Sequence, residues 1–461
     1  MKKLIFSAFL GISFCGNAQC YGDNISTTAT IGAEISLTLK QDGTVWGAGY
    51  GEVLGINSSS NVPMLEKIWD GNDWAKVFAG NNFSAGIKTD GTLWTCGRHE
   101  YAQIGDGVIG NSITWIPTKV GTDTNWLTLT STNTSVAALK TDGTLWGWGV
   151  NPNGDSVPVA LVPTQIGTDT NWTKIAAGWE HIIALKSDGT LWSWGYNYYG
   201  QLGNGTNGDN TGVSSPVQIG TDSNWTEIYA GATSSFAIKS NGTIYVWGEN
   251  EYYNFGDGTS QNSNVPIQIS PVSDIKELAA GGEKFTIALK NDGTLWSWGK
   301  NDQAQLGLGN YSTYVATPTQ IGTANNWVKV VAGANHAFAI NSTGEIYSWG
   351  KSNFFELSTL DPIYGNPGYS PKSPTLIGCS LLAVNEVSNK TINIYPNPVK
   401  DILNFSEEIS NIQITDISGR TVKEIPNSSK SVNLQNLSKG IYIITATTKT
   451  GKSINQKIIK Q

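Results

Sequence analysis

One short phrase is repeated along this chain of 461 residues: LKTDGTLWGWG at residues 139–149, LKSDGTLWSWG at 185–195 and LKNDGTLWSWG at 289–299. Its central glycine recurs about every 50 residues, which is the period of a repeat architecture. Seven positions carry it: Gly43, Gly91, Gly143, Gly189, Gly242, Gly293 and Gly344. The sequence therefore predicts one supersecondary unit repeated seven times.

Each copy contains four short β-rich runs, as in WTKIAAG, HIIALK, TLWSWG and SPVQIG between residues 172 and 220. The Asp-Gly pair between the second and third runs is typical of a tight hairpin turn, which needs a positive φ. The spacing of two in WSW places both indoles on one face of a strand, where they fill the core between packed sheets. Each copy thus predicts a four-stranded antiparallel blade, and the fold class is all-β.

The pattern AG..H..AL..DG.LW.WG.N..GQLG.G, complete at residues 176–206, resembles the repeats of the regulator of chromosome condensation family. The resemblance covers residues 25–378. It implies a seven-bladed β-propeller, which we place at residues 19–379. Copies one, three and seven depart from the pattern in the long loop, with YGEVLGIN, VNPNGDSV and KSNFFELS, so irregular outer strands are expected there.

The first residues have the features of a secretory signal. Two lysines precede the apolar run 4–14, and Gly16 and Ala18 are the small residues that a signal peptidase requires. Residues 1–18 are therefore predicted to be a signal peptide. The run is too short to span a bilayer, and no other segment approaches 20 apolar residues, so no transmembrane segment is predicted.

The cysteines suggest one buried thiol and one possible disulfide. Cys96 replaces a tryptophan of the phrase and is predicted to be buried. Cys20 and Cys379 bracket the repeats, so a disulfide between them is possible in an oxidising compartment. Lipid attachment at Cys15 or Cys20 is an alternative for the N-terminus, although the residues before them are unfavourable for it.

A second module follows a spacer at residues 380–391. Alternating apolar residues around glycine turns predict hairpins at 412–425 and 440–460, and hence a small C-terminal β-sandwich over residues 392–461. YPNPV, D.SG..V and the final GIYII and KIIK resemble the C-terminal sorting domain of the type IX secretion system. The resemblance implies that secretion machinery as partner, and a secreted or outer-membrane surface protein after signal-peptide export to the periplasm. An ordinary adhesive sandwich domain is the alternative.

Charge separates the two modules. Residues 4–379 carry a net charge of −13 and residues 380–461 a net charge of +4. The best-known members of the repeat family act on a small GTPase beside chromatin, but an acidic propeller without a basic tail is unsuited to phosphate backbones. No nucleic-acid partner is predicted.

Few residues are available for catalysis or metal binding. The chain has three histidines. His181 and His336 share a repeat position that other copies fill with Phe83 and Phe285, so they are predicted to be packed and hydrogen-bonded. His99 lies in a loop and is predicted to face solvent. The aspartates of the repeated Asp-Gly pair are interpreted as turn formers. No catalytic residue, metal ion or cofactor is predicted.

The two faces of the disc differ in their loops. If the strands of a blade are labelled A to D, the A–B and C–D loops emerge on one face and the B–C and D–A loops on the other. The B–C and D–A loops are near copies of DGT and GTDTNW, which is typical of a scaffold, whereas the A–B and C–D loops vary. We therefore predict a non-enzymatic propeller that binds a protein or glycan through the A–B/C–D face.

The candidate ligand-binding residues are the aromatic and acidic side chains of that face. They are Tyr101, Trp179, Glu180, Tyr198, Tyr199, Tyr252, Tyr253, Glu283, Phe354 and Phe355. The alternative for each aromatic residue is a cap over a blade edge. Two other functions stay open: a carbohydrate-active enzyme that uses Glu180 and Glu283, and a purely structural surface protein.

Overall fold

The computed structural model describes residues 25–31 (backbone only), 34–150, 160–269, 273–351, 357, 370–377, 394–395, 398–416, 420–425, 427–448 and 453–461. The chain divides into two compact units, Met1–Leu382 and Ala383–Gln461. The predicted signal peptide, the spacer, Cys20 and Cys379 lie outside the described residues. Within the described part, no helix is long and apolar enough to cross a membrane.

The first unit consists of seven four-stranded antiparallel sheets, each built from consecutive strands. Blade 1 contains β1 (Ile25–Ile31), β2 (Ile35–Lys40), β3 (Val45–Gly49), the helix α1 (Gly51–Leu54) and β4 (Val62–Lys67); blade 2 contains β5 (Trp74–Ala79), β6 (Phe83–Lys88), β7 (Leu93–Arg98) and β8 (Ile113–Lys119); blade 3 contains β9 (Trp126–Ser131), β10 (Ser135–Lys140), β11 (Leu145–Gly149) and β12 (Ala160–Gln165); blade 4 contains β13 (Trp172–Ala177), β14 (His181–Lys186), β15 (Leu191–Gly195) and β16 (Val213–Gln218). Blade 5 contains β17 (Trp225–Ala230), β18 (Ser234–Lys239), β19 (Ile244–Gly248) and β20 (Ser263–Ile269); blade 6 contains β21 (Ile275–Ala280), β22 (Phe285–Lys290), β23 (Leu295–Lys300) and β24 (Tyr314–Gln320); blade 7 contains β25 (Trp327–Ala332), β26 (His336–Asn341), β27 (Ile346–Gly350) and β28 (Thr375–Leu376). The predicted seven-bladed all-β propeller is confirmed.

The repeated phrase forms the hairpin between the second and third strands of a blade. In blade 4, Gly189 has a φ of 77° and its amide donates to the carbonyl of Lys186 over 3.0 Å. The Asp188 carboxylate accepts from the Thr190 amide and hydroxyl over 3.0 and 2.6 Å. The Trp192 indole N–H then donates to the Thr190 hydroxyl over 2.9 Å. Asp188 is therefore a turn former, as predicted.

The blades are joined by apolar clusters that each contain residues of two consecutive blades. The cluster that closes the ring packs Phe338 and Ile340 of β26 against Ala48 of β3 and Leu65 of β4. The second tryptophan of the phrase crosses these junctions, because its indole N–H donates over 2.9 Å to a backbone carbonyl of the preceding blade. The pairs are Trp148 with Gln103, Trp247 with Gln201, Trp298 with Asn254 and Trp349 with Gln305.

The junction between blades 1 and 2 uses a different tryptophan. Cys96 is buried and free, as predicted, and occupies the tryptophan position. Trp69, which precedes blade 2, supplies the missing indole, and its N–H donates to the carbonyl of Leu54 over 2.7 Å. Gly55 lies against both residues, since a Cβ there would be 2.6 Å from the Cys96 Sγ and 3.0 Å from the Trp69 Nε1. A smaller side chain at one position is thus compensated from the neighbouring loop.

Burial makes the Cys96 thiol a test of the folded propeller. Burial raises the pKa of the thiol well above its usual range, so the reactive thiolate is scarce and inaccessible. We expect iodoacetamide at pH 8 to alkylate Cys96 at least about 100-fold more slowly in the native chain than in guanidinium chloride. Peptide mass spectrometry measures the two rates separately from the other cysteines. Equal rates would contradict the buried position.

The predicted irregularity of outer strands holds for only part of the ring. β28 of blade 7 has two residues, but β4 and β12 have six each. In blade 1, α1 occupies part of the C–D loop and Leu54 is buried, so the outer strand is preserved. Residues 151–159 and most of 352–369 lie outside the described part of the chain.

The second unit is a six-stranded sheet built around one long strand. It contains β29 (Ile394–Tyr395), β30 (Ile402–Asp416), β31 (Thr421–Ile425), β32 (Ser429–Asn433), β33 (Gly440–Thr448) and β34 (Ser453–Lys460). The first part of β30 pairs with β29 and β32 and its second part with β31 and β33. The sheet therefore curls around an apolar core that includes Leu403, Ile414 and Ile444. Both predicted hairpins, β30–β31 and β33–β34, are present.

Candidate ligand-binding face

The B–C/D–A face repeats one arrangement from blade to blade. In blade 3 the Lys140 Nζ lies 3.4 Å from the Trp146 ring centroid and 4.7 Å from that of Trp126, and it pairs with Asp123 over 2.7 Å. Lys186 of blade 4 makes the same contacts. Such cation–π contacts hold the loops in place. This face is consistent with a scaffold.

The opposite face has an opening on the propeller axis that Trp179 narrows. Small residues at the ends of the A strands line it, and it encloses about 150 Å³. The Trp179 amide donates to the Ala232 carbonyl over 2.9 Å, which ties this turn to blade 5. A Cβ on Gly282 of blade 6 would lie 3.0 Å from the Trp179 Nε1. The indole of blade 4 therefore extends across the opening toward blade 6.

Four tyrosines of blades 4 and 5 form what we term the aromatic ridge: Tyr196, Tyr198, Tyr199 and Tyr252. The rings of Tyr196 and Tyr198 are parallel within 9° at 6.3 Å, and Tyr198 meets Tyr199 edge-on at 5.0 Å. Tyr198 is 43% exposed. The ridge thus presents aromatic surface to solvent on the face whose loops vary.

A cation connects the two halves of the ridge. The Lys284 Nζ lies 6.0 Å from the Tyr199 ring centroid and 5.0 Å from that of Tyr252. It also pairs over 2.5 Å with Glu249, whose side chain is 1% exposed and which also accepts from the Thr233 hydroxyl. A buried carboxylate of this kind needs its partner, so Lys284 is fixed beneath the tyrosines.

Several charges of this face occupy two repeat positions. The first position is the second residue of the A–B turn, and the second position follows the glycine that ends the repeated phrase. In all seven blades the backbone amide at the second position donates to the backbone carbonyl at the first. We call these two positions the inner ring. Its members are Glu34, Asn82, Thr134, Glu180, Thr233, Lys284 and Asn335, with Tyr50, Arg98, Val150, Tyr196, Glu249, Lys300 and Lys351.

Glu180 differs from the other two acids of the inner ring, because Glu249 is paired with Lys284 and the charge of Arg98 opposes the effect of burial on the pKa of Glu34. It is half-buried, and it has no ion pair and no side-chain hydrogen bond with any residue that the structure describes. Burial raises the pKa of its carboxyl. Burial, and then the charge of Glu180, raise the pKa of Tyr196, whose amide donates to the Glu180 carbonyl over 2.7 Å. A desolvated carboxylate therefore lies beside the ridge, and no described residue provides its counterion.

The structure brings some of the candidate residues together and separates others. Tyr198, Tyr199 and Tyr252 lie in the ridge. Trp179 lines the axial opening, and Glu180 follows it in the A–B turn of blade 4. Glu283 pairs with Lys300 over 2.9 Å. Tyr253 has a φ of 60° and stacks at 4.3 Å on Tyr314 of the outer strand β24. Tyr101 lies in blade 2, away from the ridge. Phe354 and Phe355 lie outside the described residues.

Three residues of this site were missed at the sequence level: Tyr196, Glu249 and Lys284. Tyr196 and Glu249 directly follow the Trp-Gly pair, where the seven copies differ as much as the A–B turns do. That variability could have revealed them. The sequence gives no comparable signal for Lys284, because its contacts with Tyr199 and Glu249 come from two other blades.

One prediction about the histidines is wrong. His99 does not face solvent: it is 3% exposed, and its Nε2 lies 2.7 Å from the Thr114 hydroxyl because the loop folds back onto β8. His181 is packed and hydrogen-bonded, as predicted, with its Nε2 2.8 Å from the Ser235 hydroxyl. His336 is also buried, but its Nε2 has no hydrogen-bond partner among the described residues. No group of three His, Cys, Asp or Glu side chains converges within that part of the chain.

Family models match both units. Residues 129–388 match the model of the RCC1-like domain, and the chain belongs to this family. A regulator of chromosome condensation (RCC1) repeat matches residues 74–103. Residues 393–461 match the secretion system C-terminal sorting domain, which implies handling by the type IX secretion system and a secreted or cell-surface protein.

Known proteins share the propeller at low identity. E3 ubiquitin-protein ligase HERC2 of Mus musculus is 26% identical over 344 residues, which cover 70% of this chain and 7% of that protein. The ultraviolet-B receptor UVR8 of Arabidopsis thaliana is 25% identical over 354 residues, 74% of this chain and 68% of that one. The match thus spans a small part of the ligase.

Solved structures show the same fold. Yeast RCC1 (Prp20) bound to Kap60 has a TM-score of 0.63 at 19% identity, covering 75% of this chain and 82% of that one. Human WBSCR16 has a TM-score of 0.61 at 22% identity, covering 68% of this chain and 86% of that one.

Proposed function

We propose that this protein is a secreted, non-enzymatic recognition propeller that binds an extracellular protein or glycan through its A–B/C–D face. The aromatic ridge is the observation that carries the proposal. Tyrosine offers large contact area and a hydroxyl at a low cost in side-chain entropy, and exposed aromatic clusters are typical of interaction sites. The uniform B–C/D–A face offers no comparable variety.

The geometry supports recognition more than hydrolysis. Of the two carboxylates considered for an enzyme, Glu283 is paired with Lys300, and Glu180 belongs to another blade. The ridge, by contrast, has one strongly exposed ring, Tyr198, supported by Tyr196 and Tyr199. Such a rigid aromatic group can stack on a sugar ring or anchor a protein partner.

An array of extracellular glycans and proteins, probed with the chain from residue 19 onward, tests the proposal. We expect Tyr198→Ala and Tyr199→Ala each to weaken binding of the array ligands by about 10-fold or more, because interface tyrosines carry much of the binding energy. Trp179→Ala is expected to weaken the binding of ligands that reach the axial opening. Tyr395→Ala is the matched control, since Tyr395 is 52% exposed but lies in the second unit.

Three results would contradict the proposal. Ligands that bind equally to all four variants would place the site elsewhere, and an array without ligands would favour a purely structural protein. Turnover of a polysaccharide, lost in Glu180→Gln and Glu283→Gln, would identify an enzyme.

A further inference from the structure

Of the three carboxylates of the inner ring, Glu34 and Glu180 have no ion pair among the described residues, and of these two Glu34 is close enough to Arg98 to be influenced by its positive charge. Lys284 and Lys300 are paired with Glu249 and Glu283, and in blades 1 and 2 Arg98 pairs with Glu52 over 2.8 Å. Glu180 of blade 4 has no such partner among the described residues, although it is half-buried. Partial desolvation of a charge is costly unless a counterion replaces the lost water. A ligand could supply that counterion.

The surroundings of Glu180 suit a cation. Trp179 precedes it in the turn, and Tyr196 lies directly across from it through the hydrogen bond between the Tyr196 amide and the Glu180 carbonyl. Aromatic faces attract ammonium and guanidinium groups, and a planar guanidinium can both stack on a ring and donate to a carboxylate. Lys284, the cation between the rings of the ridge, is already held by Glu249.

The whole propeller favours the same kind of ligand. Residues 4–379 carry a net charge of −13. A strongly negative surface accelerates the approach of basic partners and disfavours acidic ones. A neutral sugar would leave Glu180 without a counterion, so the observations favour a basic protein segment over a glycan.

We propose that Glu180 binds an arginine or lysine side chain on a basic segment of a protein ligand, with Trp179 and Tyr196 as the aromatic walls of the site. This inference rests on the proposed function and specifies its ligand class. Arginine is expected to bind more tightly than lysine, because its guanidinium can stack and form two parallel hydrogen bonds.

Short fluorescein-labelled peptides of alternating glycine and arginine test this, with anisotropy as the readout. The control peptide replaces arginine by citrulline, which has nearly the same shape and no charge. We expect the arginine peptide to bind the chain at least about 10-fold more tightly, and Glu180→Gln to remove most of that difference. The binding should weaken as salt is added.

The matched control variant is Glu251→Gln. Glu251 is an exposed carboxylate in the C–D loop of blade 5, on the same face, and its loss should change the affinity by less than about two-fold. Unchanged melting temperatures establish that both variants are folded. Equal affinity for the two peptides, no binding of either, or an unaffected Glu180→Gln variant would overturn the inference.

The array ligands separate this inference from the proposed function. Ligands that are basic in sequence, and whose binding is weakened by Tyr199→Ala and also by Glu180→Gln, support the proposed function and the inference. If binding is weakened by Tyr199→Ala but not by Glu180→Gln, or if the ligands are neutral glycans, the proposed function stands and the inference is overturned. Ligands insensitive to both variants overturn both.

Discussion

Trp247→Ala should lower the free energy of unfolding by about 3–5 kcal/mol, the usual cost of truncating a fully buried tryptophan. Trp247 lies in the core between blades 4 and 5, against Leu191 and Trp225. Its removal leaves a cavity and also deprives the Gln201 carbonyl of the indole N–H that joins the two blades. Urea unfolding followed by circular dichroism at pH 7 measures the loss.

Trp192→Ala is the matched control. Trp192 is the first tryptophan of the same repeated phrase in blade 4, but it is half-buried and its N–H donates to Thr190 within its own blade. We expect this change to cost about 1–2 kcal/mol, in proportion to the smaller area that it buries. Equal losses in the two variants would show that the tryptophan between blades contributes no more to the free energy of unfolding than one that bonds within its own blade.

The fold could be predicted because its signals are local and are repeated. The Asp-Gly turn and the alternation in HIIALK and TLWSWG each specify a hairpin, and seven copies leave little choice of architecture. The role of Trp69 could not be predicted in this way. It compensates Cys96 from another blade, and nothing in the local sequence shows which distant cavity an additional tryptophan fills.

The site was predictable to the level of a face and no further. Loop variability identified the A–B/C–D face and the candidates Tyr198, Tyr199 and Tyr252. It gave no sign that Lys284 lies between two of these rings, or that Glu180 has no counterion in the described part of the propeller, because both depend on which blades are neighbours in space. His99 was wrongly assigned to solvent for the same reason, since its loop folds back on β8.

Two other buried histidines, His181 and His336, give the propeller a steep dependence of stability on pH. Burial lowers the pKa of His181 and His336 to about 3 each, whereas an unfolded histidine titrates at about 6.5. Above pH 7 both states are neutral, and the two residues cause no pH dependence. Below about pH 6.5 only the unfolded chain takes up the protons, so each histidine reduces stability by about 1.4 kcal/mol per pH unit until its folded pKa is reached.

Between pH 6.5 and 5 we therefore expect the free energy of unfolding to fall by about 3 kcal/mol through these two residues. The His181→Phe/His336→Phe variant is the matched control, because Phe83 and Phe285 fill the same position in blades 2 and 6. Loss of the bond to Ser235 shifts its stability at every pH, but the slope due to the two histidines should disappear while that of the carboxylates remains. Urea unfolding at a series of pH values gives both slopes, and parallel profiles would show that the histidines are protonated in the folded propeller or not buried in it.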